Sequence, residues 1–162
     1  MARGIGAGIA ELWYVATIAI YTAPTTTELN AGVDLTGFLT DGGLTTPFAG
    51  SVVDGADMSS AFNKTSSGTY GGQPLTAEFF KDLVQGSDTA FTTLPRGTVG
   101  YFAIVRRPLA AKSTFAIADF VDIWPMDVIT ADDLPIQRNE LQRFMTECAV
   151  TDVPAIDFAL VA

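Results

Sequence analysis

Carboxylates are the main reactive groups in this chain. It holds 18 Asp and Glu against 9 Lys and Arg, no histidine and one cysteine, Cys148. Without histidine the commonest general base is missing, as are Ser-His and Cys-His nucleophile pairs and most zinc sites. A single cysteine permits neither an intrachain disulfide nor a thiolate metal cluster. Cys148 lies in an apolar-alternating stretch and reads as a small core residue. Glu78, Asp82, Asp119, Asp122 and Asp127 fall on or beside segments of strand character. Two of them brought together could run a hydrolysis, one as acid and one as base. We read them instead as one acidic face of a sheet, and keep a hydrolase built on Asp119 and Asp122 as an alternative.

Other patterns carry less chemistry. The acid pairs Asp54 with Asp57, and Asp132 with Asp133, lack the ordered oxygen ligands of a calcium loop and read as solvated turns. "GIGAGI" at residues 4–9 has Ile9 where a dinucleotide loop has its third glycine, and no strand precedes it. Asn63-Lys64-Thr65 matches a glycosylation triplet, which has no meaning without a secretion signal. Arg106-Arg107 is a basic pair at a strand end, placed to pair with an acid inside the fold or across an interface. No constellation supports catalysis, and no cofactor or metal is expected.

The elements that position these residues begin with "GIGAGIAELWYVATIAIYTA", residues 4–23. As a membrane helix it has the length, but its six Leu, Ile and Val residues together contribute about −2 to −4 kcal/mol. Glu11 near the middle costs about 2.5–3.5 kcal/mol, so a span gains almost nothing. Glu11, Tyr21 and Pro24 also spoil a signal peptide. A strand over Leu12–Ile20 fits better, with Trp13, Tyr14, Val15 and Ile18 making both of its faces apolar. Residues 1–10 then form a flexible arm.

Thr25 and Glu28 have capping-box spacing, which predicts a helix over Thr26–Ala31 stopped by Gly32. A strand over Leu35–Thr40 should end in the Gly42-Gly43 turn. Residues 41–73 read as Gly-rich with short β pieces at Ser51–Val53 and Ser59–Thr65, and "SSGTYGGQP" reads as loop. A strand is expected over Pro74–Leu83, then a short helix capped by Ser87. "TVGYFAIVRR" and "TFAIADFVDIWPMDV" read as strands, "TADDLPIQRN" as loop. "ELQRFMTECAV" alternates, with Phe144, Thr146, Cys148 and Val150 on one side. "PAIDFALVA" is a final strand or a docking tail. The fold class is therefore mainly β, a sandwich or barrel with one or two short flanking helices, in a single domain over 1–162.

The charged fraction is only 17%, below the usual ~25% of a soluble domain, while 48% of residues are hydrophobic. Such a surface suits burial in an assembly. The net charge of −9 argues against binding nucleic acid through its phosphates.

Two stretches carry a family resemblance. "TAPTTTELNAGVDLTGFLTD" resembles the early segment of the major tail (tail tube) proteins of long-tailed bacteriophages, of the non-contractile type. "SDTAFTTLPRGTVGYFAIVRR" followed by "ADFVDIWPMDV" resembles their later half. The resemblance implies a non-enzymatic virion protein, made in the host cytoplasm, whose β-sandwich subunits form six-fold rings stacked into a hollow tube. Genome DNA would pass through without specific binding, and no membrane is involved. Tape-measure, tail-tip and tail-terminator proteins would be its partners. Glu78, Asp82, Asp119, Asp122 and Asp127 become candidates for the channel wall. Candidate contacts between subunits are Arg3, Ile5 and Ile9 in the arm, Asp41, Leu44, Phe48, Val52 and Met58 in the Gly-rich region, and Arg106 and Arg107. Tube proteins of contractile injection and secretion systems are similar in fold, and a small β-barrel that holds an apolar ligand is the remaining alternative.

Overall fold

A computed structural model describes residues 10–54, 65–82, 84, 87–109 and 111–161, with the backbone alone at 52, 54, 65 and 70. Its elements in chain order are β1 (Glu11–Val15), α1 (Thr26–Asn30), β2 (Val33–Asp34), a 3-10 turn (Thr36–Phe38), β3 (Leu39–Thr45), β4 (Phe48–Asp54), β5 (Thr65–Gly72), β6 (Leu75–Phe80), α2 (Thr89–Thr93), β7 (Val99–Val105), β8 (Phe120–Asp133), β9 (Arg143–Val150) and β10 (Ala155–Ala159). The main sheet has the order β2-β1-β7-β8-β9-β6-β3, and β10 also pairs with β8. All of these pairings are antiparallel. β4 and β5 form a separate two-stranded hairpin.

The long strand β8 organises the fold. Its first half pairs with β7 on one edge and β10 on the other, and its second half pairs with β9. The hand-over from β9 to β10 falls at Pro125, between Met126, opposite Val150, and Ile123, opposite Ala155. Pro125 accepts from Thr151 N (3.1 Å), so its own nitrogen faces the gap between those two partners. A proline is tolerated inside this strand because no ladder bond is lost there. The register then slips between Val128 and Thr130, a bulge that bends the strand.

The sheet doubles over at this strand, and a β-sandwich results. One core therefore unites Leu12, Phe102 and Ile104 from β1 and β7 with Phe79, Phe144 and Cys148 from β6 and β9. Phe144 stacks on Phe79 (5.3 Å between centroids) and meets Phe91 edge-on at 5.2 Å. A second core lies behind β1, β7 and the first half of β8. There Trp13, Val15, Ala103 and Ile123 pack under Leu29 of α1, Phe115 and Leu160. Trp13 meets the Phe115 ring edge-on at 5.1 Å. All five residues of β1 are buried, which bears out two apolar faces.

The strand is shorter than expected. It stops at Val15 rather than Ile20; β7, whose Tyr101 lies opposite Val15, begins at Val99 after the Pro95-Arg96-Gly97 turn and so offers no partner to residues 18–20. Ile18 still reaches the second core, while Ile20 is exposed. The capping box forms as expected. Glu28 N donates to Thr25 Oγ1 (3.3 Å) and Thr25 N donates back to the Glu28 carboxylate (2.9 Å). Gly32 ends the helix where a Cβ would sit 2.8 Å from Tyr14 O and 2.9 Å from Val15 Cγ2, so only glycine lets α1 lie this close to β1.

Other segments depart from the sequence reading. The expected strand over Leu35–Thr40 divides into β2, the 3-10 turn and β3, and β3 continues through Gly42-Gly43 by a register shift against β6. "SSGTYGG" is strand β5, since pairing with β4 outweighs its turn composition. The cap of α2 is Asp88, not Ser87, and accepts from Phe91 N (3.3 Å). β8 starts at Phe120, not Thr114, and continues through "TADD", which the sequence alone places in a loop. β6, β7, β9 and β10 lie where strands were expected. The expected arm lies at residues 1–10, of which 1–9 are outside the described residues, as is most of the β piece at Ser59–Thr65.

Candidate functional site

Alternation along a strand sends successive side chains to opposite faces, and directly paired residues share a face. In the half-sheet of β3, β6, β9 and the second half of β8, one face is core. Leu75, Ala77 and Phe79 of β6 and Phe144, Thr146 and Cys148 of β9 are all buried there. The outer face is built in rows across the strands. Glu78, Met145 and Asp132 form one row. Thr45, Thr76, Glu147 and Thr130 form the next. Val99, Asp127 and Ala149 form a third. Phe80 lies opposite Arg143 at the end. None of these residues is buried. The face therefore sets four carboxylates, Glu78, Asp127, Asp132 and Glu147, against the single guanidinium of Arg143. Arg143 is drawn to one end, where it pairs with Glu78 (2.7 Å) and Glu140 (2.9 Å).

This half-sheet differs from its counterpart. The outer face of β1 and β7 is roofed by α1, Phe115 and Leu160. The acidic face has no such roof among the described residues. An open acid-and-threonine sheet of this kind can meet water, line a conduit and repel phosphate, because its unpaired carboxylates leave no counterions to release on binding a polyanion.

The five acids picked from the sequence do not share this face. Glu78 and Asp127 lie on it. Asp82 sits just past β6, where it accepts from Val84 N (2.9 Å) and Ser87 Oγ (2.9 Å). Those two hydrogen bonds hold its carboxyl below the usual range. Asp119 closes the turn ahead of β8 and accepts from Ala116 N (2.8 Å). Asp122 points to the opposite side of β8 from Asp127 and is buried. One of its oxygens takes Arg106 Nε (2.6 Å) and the other takes Asp157 N (2.7 Å). Both oxygens of that carboxylate are thus occupied by bonds that hold the fold. Asp132 and Glu147 complete the acidic face. Asp132 was hidden in an expected loop, but the alternation of "RFMTECAV" already put Glu147 opposite the core positions.

Among the expected contact residues, Arg3, Ile5, Ile9 and Met58 lie outside the described residues, and Val52 is described by its backbone alone. Asp41 is exposed beside an open cleft of about 300 Å³ shared with Phe80 and Leu141. Leu44 is half-buried on the core. Phe48 is half-exposed, its ring 5.0 Å from Trp124. Arg106 and Arg107 both pair within the chain, Arg107 with Asp157 (2.6 Å) and over the Phe120 ring (4.7 Å). Cys148 is fully buried, and burial pushes its thiol up to about 12. Among the described residues no group of three potential ligands could hold a metal ion, and no helix is long and apolar enough to cross a membrane.

The comparison with protein families gives one finding. The family model described as "Phage tail tube protein" matches residues 1–162, the whole chain. No curated protein matches it in sequence.

Proposed function

This chain belongs to the phage tail tube protein family, and we propose that six copies form a ring around the acidic face of β3, β6, β9 and β8. The rings stack into the tail tube of a virion, and the chain is a structural subunit without enzymatic activity, synthesised in the host cytoplasm. Its partners are further copies of itself and the tape-measure, tail-tip and tail-terminator proteins.

The observation that carries this reading is the unroofed acidic face. Glu78, Asp127, Asp132 and Glu147 line the channel, and DNA slides past them because like charges keep phosphate at a distance. This assignment takes the acids that share one face of the paired strands, and Asp82, Asp119 and Asp122 lie outside those rows. The edge strand β3 pairs with the next subunit, so the ring also removes an exposed sheet edge that would otherwise invite aggregation.

Two measurements test the proposal. Negative-stain micrographs of concentrated protein, or of protein nucleated by its tail tip, should show rings or tubes of uniform width. A chain carrying Asp127→Lys, Asp132→Lys and Glu147→Lys should assemble and then retain short duplex DNA, with binding that weakens steeply as salt rises. Protein that stays monomeric under nucleation, or reversed tubes that retain no DNA, would sink the respective half of the reading.

A further inference from the structure

The two ends of β9 carry different apolar surfaces. At its start, the loop 134–142 joins β8 to β9 and exposes Ile136 (78%) and Leu141 (70%). These are the two most exposed large apolar side chains among the described residues. Between them Arg138 makes no ion pair with any described residue. At the other end of β9, some 25 Å away by strand rise, a hollow of about 210 Å³ with both apolar and polar lining opens between the β4–β5 hairpin and residues 151–154. Phe48, Gly72, Val150, Val153 and Pro154 line it, and Asp152 stands beside them. Asp152 accepts from Val153 N (2.7 Å) and has no cation partner among the described residues.

The two surfaces complement each other in charge, and both offer exposed apolar side chains. One presents a protruding apolar loop with a spare positive charge, the other a hollow with a spare negative one. Neither end fits itself, so the contact they can make is head-to-tail, the type that propagates without closing. Both lie at the ends of the same acidic sheet, so joining them continues that face from one copy to the next. We propose that loop 134–142 of one copy docks into the hollow of the copy in the adjacent layer, with Ile136 against Phe48 and Val153 and Arg138 on Asp152. The proposal rests on the tube reading and adds to it the residues that lock one layer to the next.

A cysteine pair tests it. A chain with Ile136→Cys and Val153→Cys is assembled under reducing conditions and then oxidised. Cys148 is a silent background, being fully buried with its thiol pushed up to about 12. The double variant should give a ladder of covalent dimers, trimers and higher species, and each single variant should give none. Separately, Ile136→Asp should keep the melting temperature of the wild type, since the site is exposed, and shorten tubes at least tenfold. Arg138→Asp should also shorten them, and adding Asp152→Arg should restore length. Wild-type tubes alongside a missing ladder, or Ile136→Asp tubes of full length, overturn this pairing of ends and leave the tube reading standing. Wild-type protein that forms neither rings nor tubes overturns the tube reading, and this inference with it.

Discussion

Removing the guanidinium of Arg106 should destabilise the subunit more than removing the charge of its partner. Asp122 has a side chain only 7% exposed, while Arg106 is 57% exposed. In Arg106→Ala the carboxylate stays buried without its cation. Breaking a fully buried pair in this way costs about 3–5 kcal/mol. Because one partner here reaches solvent, screening lowers the expected cost to about 2 kcal/mol. In Asp122→Asn the freed guanidinium simply turns to water, and the amide oxygen can still accept from Asp157 N. The lost charge-assisted bond, partly offset by the relieved burial of a carboxylate, leaves a cost of about 1 kcal/mol. Asp122→Ala also strands Asp157 N, whose residue sits at φ 55° in the irregular stretch of β10, and should cost about 2–4 kcal/mol. Urea unfolding of dilute, unassembled subunit measures all three, and hydrogen exchange at Ala155–Ala159 reports whether β10 loosens. The double variant Arg106→Ala with Asp122→Asn should recover part of the Arg106→Ala loss. If Arg106→Ala costs less than Asp122→Asn, the buried carboxylate does not depend on its cation and the reasoning fails.

Three further outcomes are expected. Phe144→Ala removes a fully buried ring held between Phe79 and Phe91, and urea unfolding should show a loss of about 3–5 kcal/mol; a loss under about 1 kcal/mol would place that ring outside the core. The Glu28 carboxyl is held below its ordinary value of 4.5 by hydrogen bonds from Ala19 N, Thr25 N and the Thr25 hydroxyl. A depressed folded value means that its stabilisation is complete above pH 4.5 and is lost as pH falls through the folded value, so Glu28→Gln should flatten stability against pH in that acid range, and an NMR titration placing Glu28 at or above 4.5 would refute this. The Cys148 thiol should resist a maleimide at pH 8 in the folded subunit and react at once in urea; equal rates in both states would show that the thiol is accessible.

Local patterns made much of this fold legible. The Thr25–Glu28 box and the Gly32 stop are contained within eight residues, and they produced the helix that was expected. Period-two alternation placed Phe144, Thr146 and Cys148 on the core side of β9 before any partner strand was known. The loss of histidine and the excess of acids constrained the chemistry from composition alone. Where the reading failed, the deciding contact was remote in sequence. "SSGTYGG" is a strand because β4 lies beside it, and Asp132 is on the sheet because β9 extends β8 past the bulge.

The acid site shows the same division. By itself the sequence determined that carboxylates would crowd the strands and that β1 would need cover on both faces, because residue type and spacing are local properties. Only the tertiary structure decided which acids share a face. Asp122 and Asp127 are five residues apart on one strand, and an odd separation puts them on opposite sides. Asp122 then found Arg106 and the backbone of Asp157, and became a buried brace. Asp127 and Asp132 are also five apart, but the bulge between Val128 and Thr130 reverses the alternation, and the register in which β8, β9 and β6 pair then lines both up with Glu147 and Glu78. That register is a long-range property, so no window of the sequence contains it.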